Sequence, residues 1–138
     1  MKLFVDANTL VSGLVFAGNE RLLLEIARYG ACDLITNPHV HREVVEVLAR
    51  PDLGLSEVEQ GRLITLLDRS LSTVEDPAVE KMRHSRNRLR DEEDLPVLVG
   101  FETSDCDYLV TGDRELRNST SKAMTMRQAL KALLGEFE

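Results

Sequence analysis

The sequence predicts an α/β fold: a three-layer α/β/α sandwich with a central, mainly parallel sheet. Three features carry that expectation. Brief apolar runs of strand length recur along the chain, at Leu3-Phe4-Val5, Asp33-Leu34-Ile35-Thr36 and Asp107-Tyr108-Leu109-Val110. Segments with helical apolar spacing lie between them. Strands that alternate with helices build parallel sheets covered on both faces.

Each element has a local reason. Leu3-Phe4-Val5 is short, branched and aromatic, and it stops at Asp6. Residues 8–16 then place Leu10, Val11, Leu14 and Val15 at helical spacing, until Gly18-Asn19 interrupts. Residues 20–29 form a second helix with Leu22, Leu23, Ile26 and Ala27 on one face and Gly30 as its stop. A strand at residues 33–36 leads into Thr36-Asn37-Pro38, a capping side chain followed by a first-turn proline. That helix is expected to run to Ala49 and end before Pro51. Ser56 and Glu59 form a capping box ahead of Leu63, Ile64, Leu66 and Leu67. Residues 71–74 read as a strand and residues 75–93 as a polar, charge-rich connection. A helix over residues 94–103, a strand over 107–110, a short strand at Ala123-Met124 and a closing helix from Thr125 through Leu134 complete the reading.

With 138 residues, 43% hydrophobic and 30% charged, the chain suits a single domain spanning residues 1–138, with enough apolar material for a core. Trp is absent and aromatics are 4%, so Leu and Val must fill that core. No apolar run is long enough to span a bilayer. The amino end reaches Asp6 too soon for a secretory signal, so the expected location is the cytoplasm, with Cys32 and Cys106 as reduced thiols. The histidines do not suggest zinc, because His39 and His41 are two apart on a helix and do not share a face. No GxxxxGK[ST] loop and no GxSxG elbow is present, which disfavours a nucleotide triphosphatase and a serine hydrolase.

The acids carry the chemistry. In open α/β sheets, active sites lie beyond the carboxyl ends of the strands. Asp6 and Asp113 both stand just past such an end. On the helix after Pro38, Val40, Val44, Val47 and Leu48 form one apolar stripe at about 100° per residue. Glu43 lies at the edge of that stripe, where it can point into a cleft. Glu46 lies far from the stripe and is expected to face solvent. Asp94 closes the run Asp91-Glu92-Glu93-Asp94 and would open the next helix at the same rim as Asp6 and Asp113. Convergence of three or four acids suits a hard, oxygen-liganded ion such as Mg2+, because without metal the carboxylates repel one another. Phosphodiester hydrolysis needs an activated water and positive charge at the phosphate, which such ions supply. Thr111 can donate to a carboxylate, Gly112 lets the chain turn, and Glu115 adds a further acid.

The order Asp6, Glu43, Asp94, Asp113 resembles the PIN-domain family of ribonucleases. Local words agree: Leu3-Phe4-Val5-Asp6-Ala7-Asn8-Thr9-Leu10-Val11-Ser12, then Glu43-Val44-Val45-Glu46-Val47-Leu48-Ala49-Arg50-Pro51, then Asp107-Tyr108-Leu109-Val110-Thr111-Gly112-Asp113. The resemblance implies a PIN-like sandwich, Mg2+ or Mn2+ as cofactor and RNA as substrate. By carry-over, Asp6, Glu43, Asp94 and Asp113 are the catalytic, metal-binding acids, and Asn8, Ser12 and Thr111 are supporting polar groups. Glu115 stands where many members have Asp. The same resemblance implies a frequent setting: the toxin of a toxin–antitoxin pair, with a cognate antitoxin as partner and a homodimer as assembly.

The charge balance, 17 basic against 24 acidic residues and a net of −7, is unusual for a nucleic-acid partner. Metal-binding acids account for part of it. Residues 81–90 also hold five of the basic residues and no acid. Arg83, Arg86, Arg88 and Arg90 are therefore the candidate RNA contacts. The competing reading is a non-catalytic RNA-binding or protein-interaction module on the same scaffold. A third is a metal-dependent nuclease or phosphatase with another substrate.

Overall fold

The computed structural model describes residues 1–135. The last three residues of the expected domain, 136–138, lie outside the described residues. Five strands form one sheet: β1 (Lys2–Val5), β2 (Asp33–Thr36), β3 (Leu71–Thr73), β4 (Tyr108–Val110) and β5 (Ala123–Met124). Their order is β3-β2-β1-β4-β5 and every pairing is parallel. The helices are α1 (Ala7–Val15), α2 (Asn19–Arg28), α3 (Pro38–Leu48), α4 (Glu57–Ser70), α5 (Val79–His84), α6 (Leu95–Thr103), α7 (Arg114–Ser119) and α8 (Met126–Leu133).

This order sets where a site can form. From β1 the chain steps to β2 and β3 on one side, then returns past β1 to β4 and β5 on the other. Parallel crossovers are right-handed, so the connections through α1–α4 and those through α5–α7 cover opposite faces of the sheet. The reversal falls between β1 and β4, and a crevice opens at the carboxyl ends of those two strands. Phe4 pairs with Leu109 and Val5 with Val110, which brings Asp6 and Thr111 opposite one another just beyond.

The core is aliphatic, as the composition requires. Leu3, Phe4, Leu34, Val44, Leu98 and Leu109 are essentially inaccessible to water. Helix α6 is buried over most of its surface, from Leu95 to Phe101. It therefore reads as a continuous apolar run rather than an amphipathic one.

Most elements agree with the sequence reading to within a residue or two. The charge-rich stretch 75–93 differs, because α5 occupies its middle. Only Met82 in that helix packs against the core as a large apolar side chain, so no apolar stripe marks it.

Candidate active site

Three carboxylates sit at helix starts around the β1–β4 crevice, and their local bonding differs. Asp6 is the N-cap of α1 and only 6% exposed. Its Oδ1 accepts from the Thr9 amide at 3.0 Å. Its Oδ2 accepts from Thr111 Oγ1 at 2.5 Å, and Thr111 is wholly buried. Thr111 Oγ1 in turn accepts from the Asp113 amide at 3.0 Å. One threonine thus fixes the rotamer of Asp6 and the backbone at Asp113.

Asp113 is the N-cap of α7, with Oδ2 accepting from the Leu116 amide at 2.9 Å. Asp94 sits at the N-cap position of α6 yet makes no capping bond, because its own backbone is already helical. Asp91 performs the capping one turn earlier, accepting from the Glu93 amide at 3.0 Å. The Asp94 carboxyl is therefore free for another use.

Asp94 also reports on its surroundings. Burial first, then the negative charges of Asp91, Asp113, Glu43 and Asp6, push its carboxyl from the ordinary 3.8 up to about 6. Residues from three separate stretches of chain act on a single group. Their mutual repulsion costs the fold stability and would be relieved by a cation.

Glu43 reaches the same region from α3. Helix α3 starts at Asn37, which is fully buried. Asn37 Oδ1 caps the helix by accepting from the Val40 amide at 3.0 Å, while its Nδ2 donates to the Pro96 carbonyl at 3.1 Å. The same side chain thus ties the helix carrying Glu43 to the first turn of the helix following Asp94. The fit depends on Gly100, because a Cβ there would collide with Asn37 Nδ2 and come within 3.2 Å of Phe4 Cζ.

A cleft of about 450 Å³ opens over these elements, lined by Asn8, Glu43, Asp94, His39, Arg42, Glu46, Glu93 and Arg50 among others. Glu46 is a correction to the sequence expectation. It is exposed, as expected, but it lines the cleft with Glu43. Residues three and four apart on a helix are neighbours, so 39, 42, 43 and 46 form one continuous row, and Arg50 extends that wall just past the end of α3. Distance from the apolar stripe was a poor guide, because the cleft runs along the polar flank of α3. The row adds His39 and Arg42 to the site, and Arg50 joins them from beyond the helix end. His39 Nε2 lies 2.7 Å from Glu43 Oε1, an ion contact once the ring is protonated, though not a directed hydrogen bond.

The remaining expected residues divide. Asn8 lines the cleft; Ser12, one turn further along α1, does not. Glu115 is engaged by the loop before Asp94, its Oε1 accepting from the backbone amides of Arg90 at 2.8 Å and Asp91 at 3.3 Å. Arg88 is engaged by both carboxylate oxygens of Glu102 on α6, at 2.5 and 2.8 Å, so its charge is already paired. Arg83 and Arg86 line a separate surface depression with Glu92 and Leu95. Arg90 is exposed beside the acids.

The donor set suits a hard divalent ion. All four acids offer carboxylate oxygens, and the repulsion at Asp94 is relieved by a cation. Among the described residues, no group of three or more His, Cys, Asp or Glu side chains is placed to hold a metal ion. Mg2+ does not need one, since it keeps several waters and takes one or two direct carboxylates.

Comparison with known proteins agrees with the fold. A family profile described as the PIN domain matches residues 2–115. No curated protein matches the sequence. Among solved structures, the chain is similar to the crystal structure of PAE2754 from Pyrobaculum aerophilum. The TM-score is 0.70 and the identity 22%, over 98% of this chain and 96% of that one. No helix among the described residues is long and apolar enough to cross a membrane.

Proposed function

The chain belongs to the PIN-domain family, a nuclease fold, and from that premise we propose that it is a metal-dependent endoribonuclease. It hydrolyses RNA phosphodiester bonds with Mg2+ or Mn2+. The observation that carries this reading is the field at Asp94, where four other acids and burial together hold the carboxyl up to about 6.

One or two of Asp6, Glu43, Asp94 and Asp113 would hold the ion directly, with the other carboxylates facing its waters. When bound, it supplies positive charge at the phosphate and an acidified water. The chain's residues supply the positioning. Thr111 and the Thr9 amide lock Asp6 in one rotamer. Asn37 keeps the Glu43 and Asp94 helices in register. Asn8 offers an amide to substrate or water in the cleft. Arg42 and Arg50 present cations on the same wall, where a phosphate backbone can follow them. Arg88 has its guanidinium already bonded to Glu102, which leaves Arg83, Arg86 and Arg90 of the expected arginines, together with Arg50, as the candidate RNA contacts.

On the sequence resemblance, we extend the reading to the toxin of a toxin–antitoxin pair, active in the cytoplasm as a homodimer. Growth arrest on expression, relieved by the product of a neighbouring small reading frame, would support it.

The test of the catalytic reading is cleavage of a mixed RNA pool by wild type and Asp6→Asn, with and without added Mg2+ or Mn2+. Metal-dependent cleavage lost in the variant is expected. Equal cleavage by both proteins would refute the assignment. No cleavage by either, with no metal bound, would favour the binding-module reading.

A further inference from the structure

The acid at position 115 stands next to the site, and its side chain is turned to a different task. One oxygen, Oε1, accepts from two successive backbone amides, Arg90 at 2.8 Å and Asp91 at 3.3 Å. We propose that Glu115 is a strut that fixes the loop leading into Asp94, and that it is not a ligand of the metal centre. This deepens the nuclease reading and rests on it for its meaning, though not for its test.

The mechanical path is continuous. Glu115 lies in the first turn of α7, two residues beyond Asp113. It holds the amide of Asp91. Asp91 caps the 3-10 turn Glu92–Asp94 through the Glu93 amide, and its carbonyl accepts from the Asp94 amide at 3.1 Å. The position of Asp94 is therefore referred to the same helix start that presents Asp113. The loop is held upstream as well, where Arg88 grips Glu102 on α6 with two bonds. A short segment pinned at both ends delivers Asp94 to the crevice with little freedom.

The strut needs an acceptor oxygen at a given reach. It has no need of a negative charge. A metal ligand needs the charge and tolerates a shorter carboxylate. Three substitutions separate these demands. Glu115→Gln keeps length and a carbonyl acceptor, Glu115→Asp keeps charge and loses reach, and Glu115→Ala loses both.

The readouts are amide hydrogen exchange at Arg90 and Asp91 by NMR, and Mn2+ affinity by calorimetry on the full chain. Glu115→Gln is expected to keep both amides protected and to bind Mn2+ within about twofold of wild type. Glu115→Asp and Glu115→Ala are expected to speed exchange at those amides by about tenfold or more, and to weaken Mn2+ binding together. The opposite pattern, Gln losing Mn2+ affinity while Asp retains it, would overturn the proposal. So would unchanged protection in Glu115→Ala. If wild type binds no Mn2+, the nuclease reading fails, and amide exchange still decides the strut.

Discussion

Replacing Asp94 by Asn should stabilise the metal-free protein, and the size of the gain follows from the site. Burial and four neighbouring acids hold the Asp94 carboxyl at about 6, against an ordinary 3.8. In the unfolded chain the group ionises at its ordinary value. A group whose folded value is raised contributes stability only below the unfolded value, and loses it as pH climbs through the folded one. The wild type should therefore lose stability between about pH 4 and pH 6 from this group alone. The full displacement corresponds to about 3 kcal/mol. The carboxyl keeps partial contact with water, which screens the repulsion, so about 1–2 kcal/mol is the expected gain at neutral pH. For a chain of this size that is a rise of about 3–8 °C in Tm. The assay is thermal melting of wild type and Asp94→Asn in chelator from pH 4 to 8. The difference should vanish near pH 4, where both side chains are neutral. Added Mg2+ should close the gap at pH 7 by stabilising wild type alone. A variant less stable than wild type at pH 7, or a difference independent of pH, would refute the reasoning.

Four further outcomes follow from the same geometry. Thr111→Val removes the buried donor to Asp6 and the acceptor for the Asp113 amide; it should cost about 1.5–3 kcal/mol in denaturant unfolding and lower cleavage. Gly100→Ala drives a methyl against the buried Asn37 amide, so it should cost about 1–3 kcal/mol and weaken Mn2+ binding, with Gly100→Ser no better. Arg88→Ala should cost only about 0.2–1 kcal/mol and leave the salt dependence of RNA binding unchanged. Arg50→Ala should reduce that log–log salt slope by about one, read by fluorescence anisotropy across NaCl concentrations.

The sequence was most informative where one local pattern decides the outcome. Asp6 and Asp113 follow short apolar runs, and a strand end in a parallel sheet is where a crevice opens. Asn37-Pro38 and Ser56–Glu59 declare helix starts through caps that need no tertiary context. Most of the places where it misled are long-range. The apolar stripe of α3 points Glu46 to solvent, whereas the cleft follows the polar row 39-42-43-46 and continues to Arg50, which shows only once α3 lies at the rim. Arg88 looked like a free cation because Glu102, fourteen positions on, becomes its partner only after α6 has packed. The order β3-β2-β1-β4-β5, which makes the β1–β4 switch, depends on the return of the chain past β1 and leaves no local mark. Helix α5 is too short and too polar for its periodicity to stand out.

The central claim is that acids from separate parts of the chain form one metal-binding centre, and a Mn2+ titration of wild type against Asp94→Asn tests it most directly. Calorimetry at pH 6 and at pH 7.5 is the measurement. Wild type is expected to bind Mn2+ at both, releasing more protons at pH 6, where Asp94 is partly protonated, and the variant is expected to bind about tenfold or more weakly with that extra release gone. Equal affinity and equal proton release in the two proteins would contradict the account.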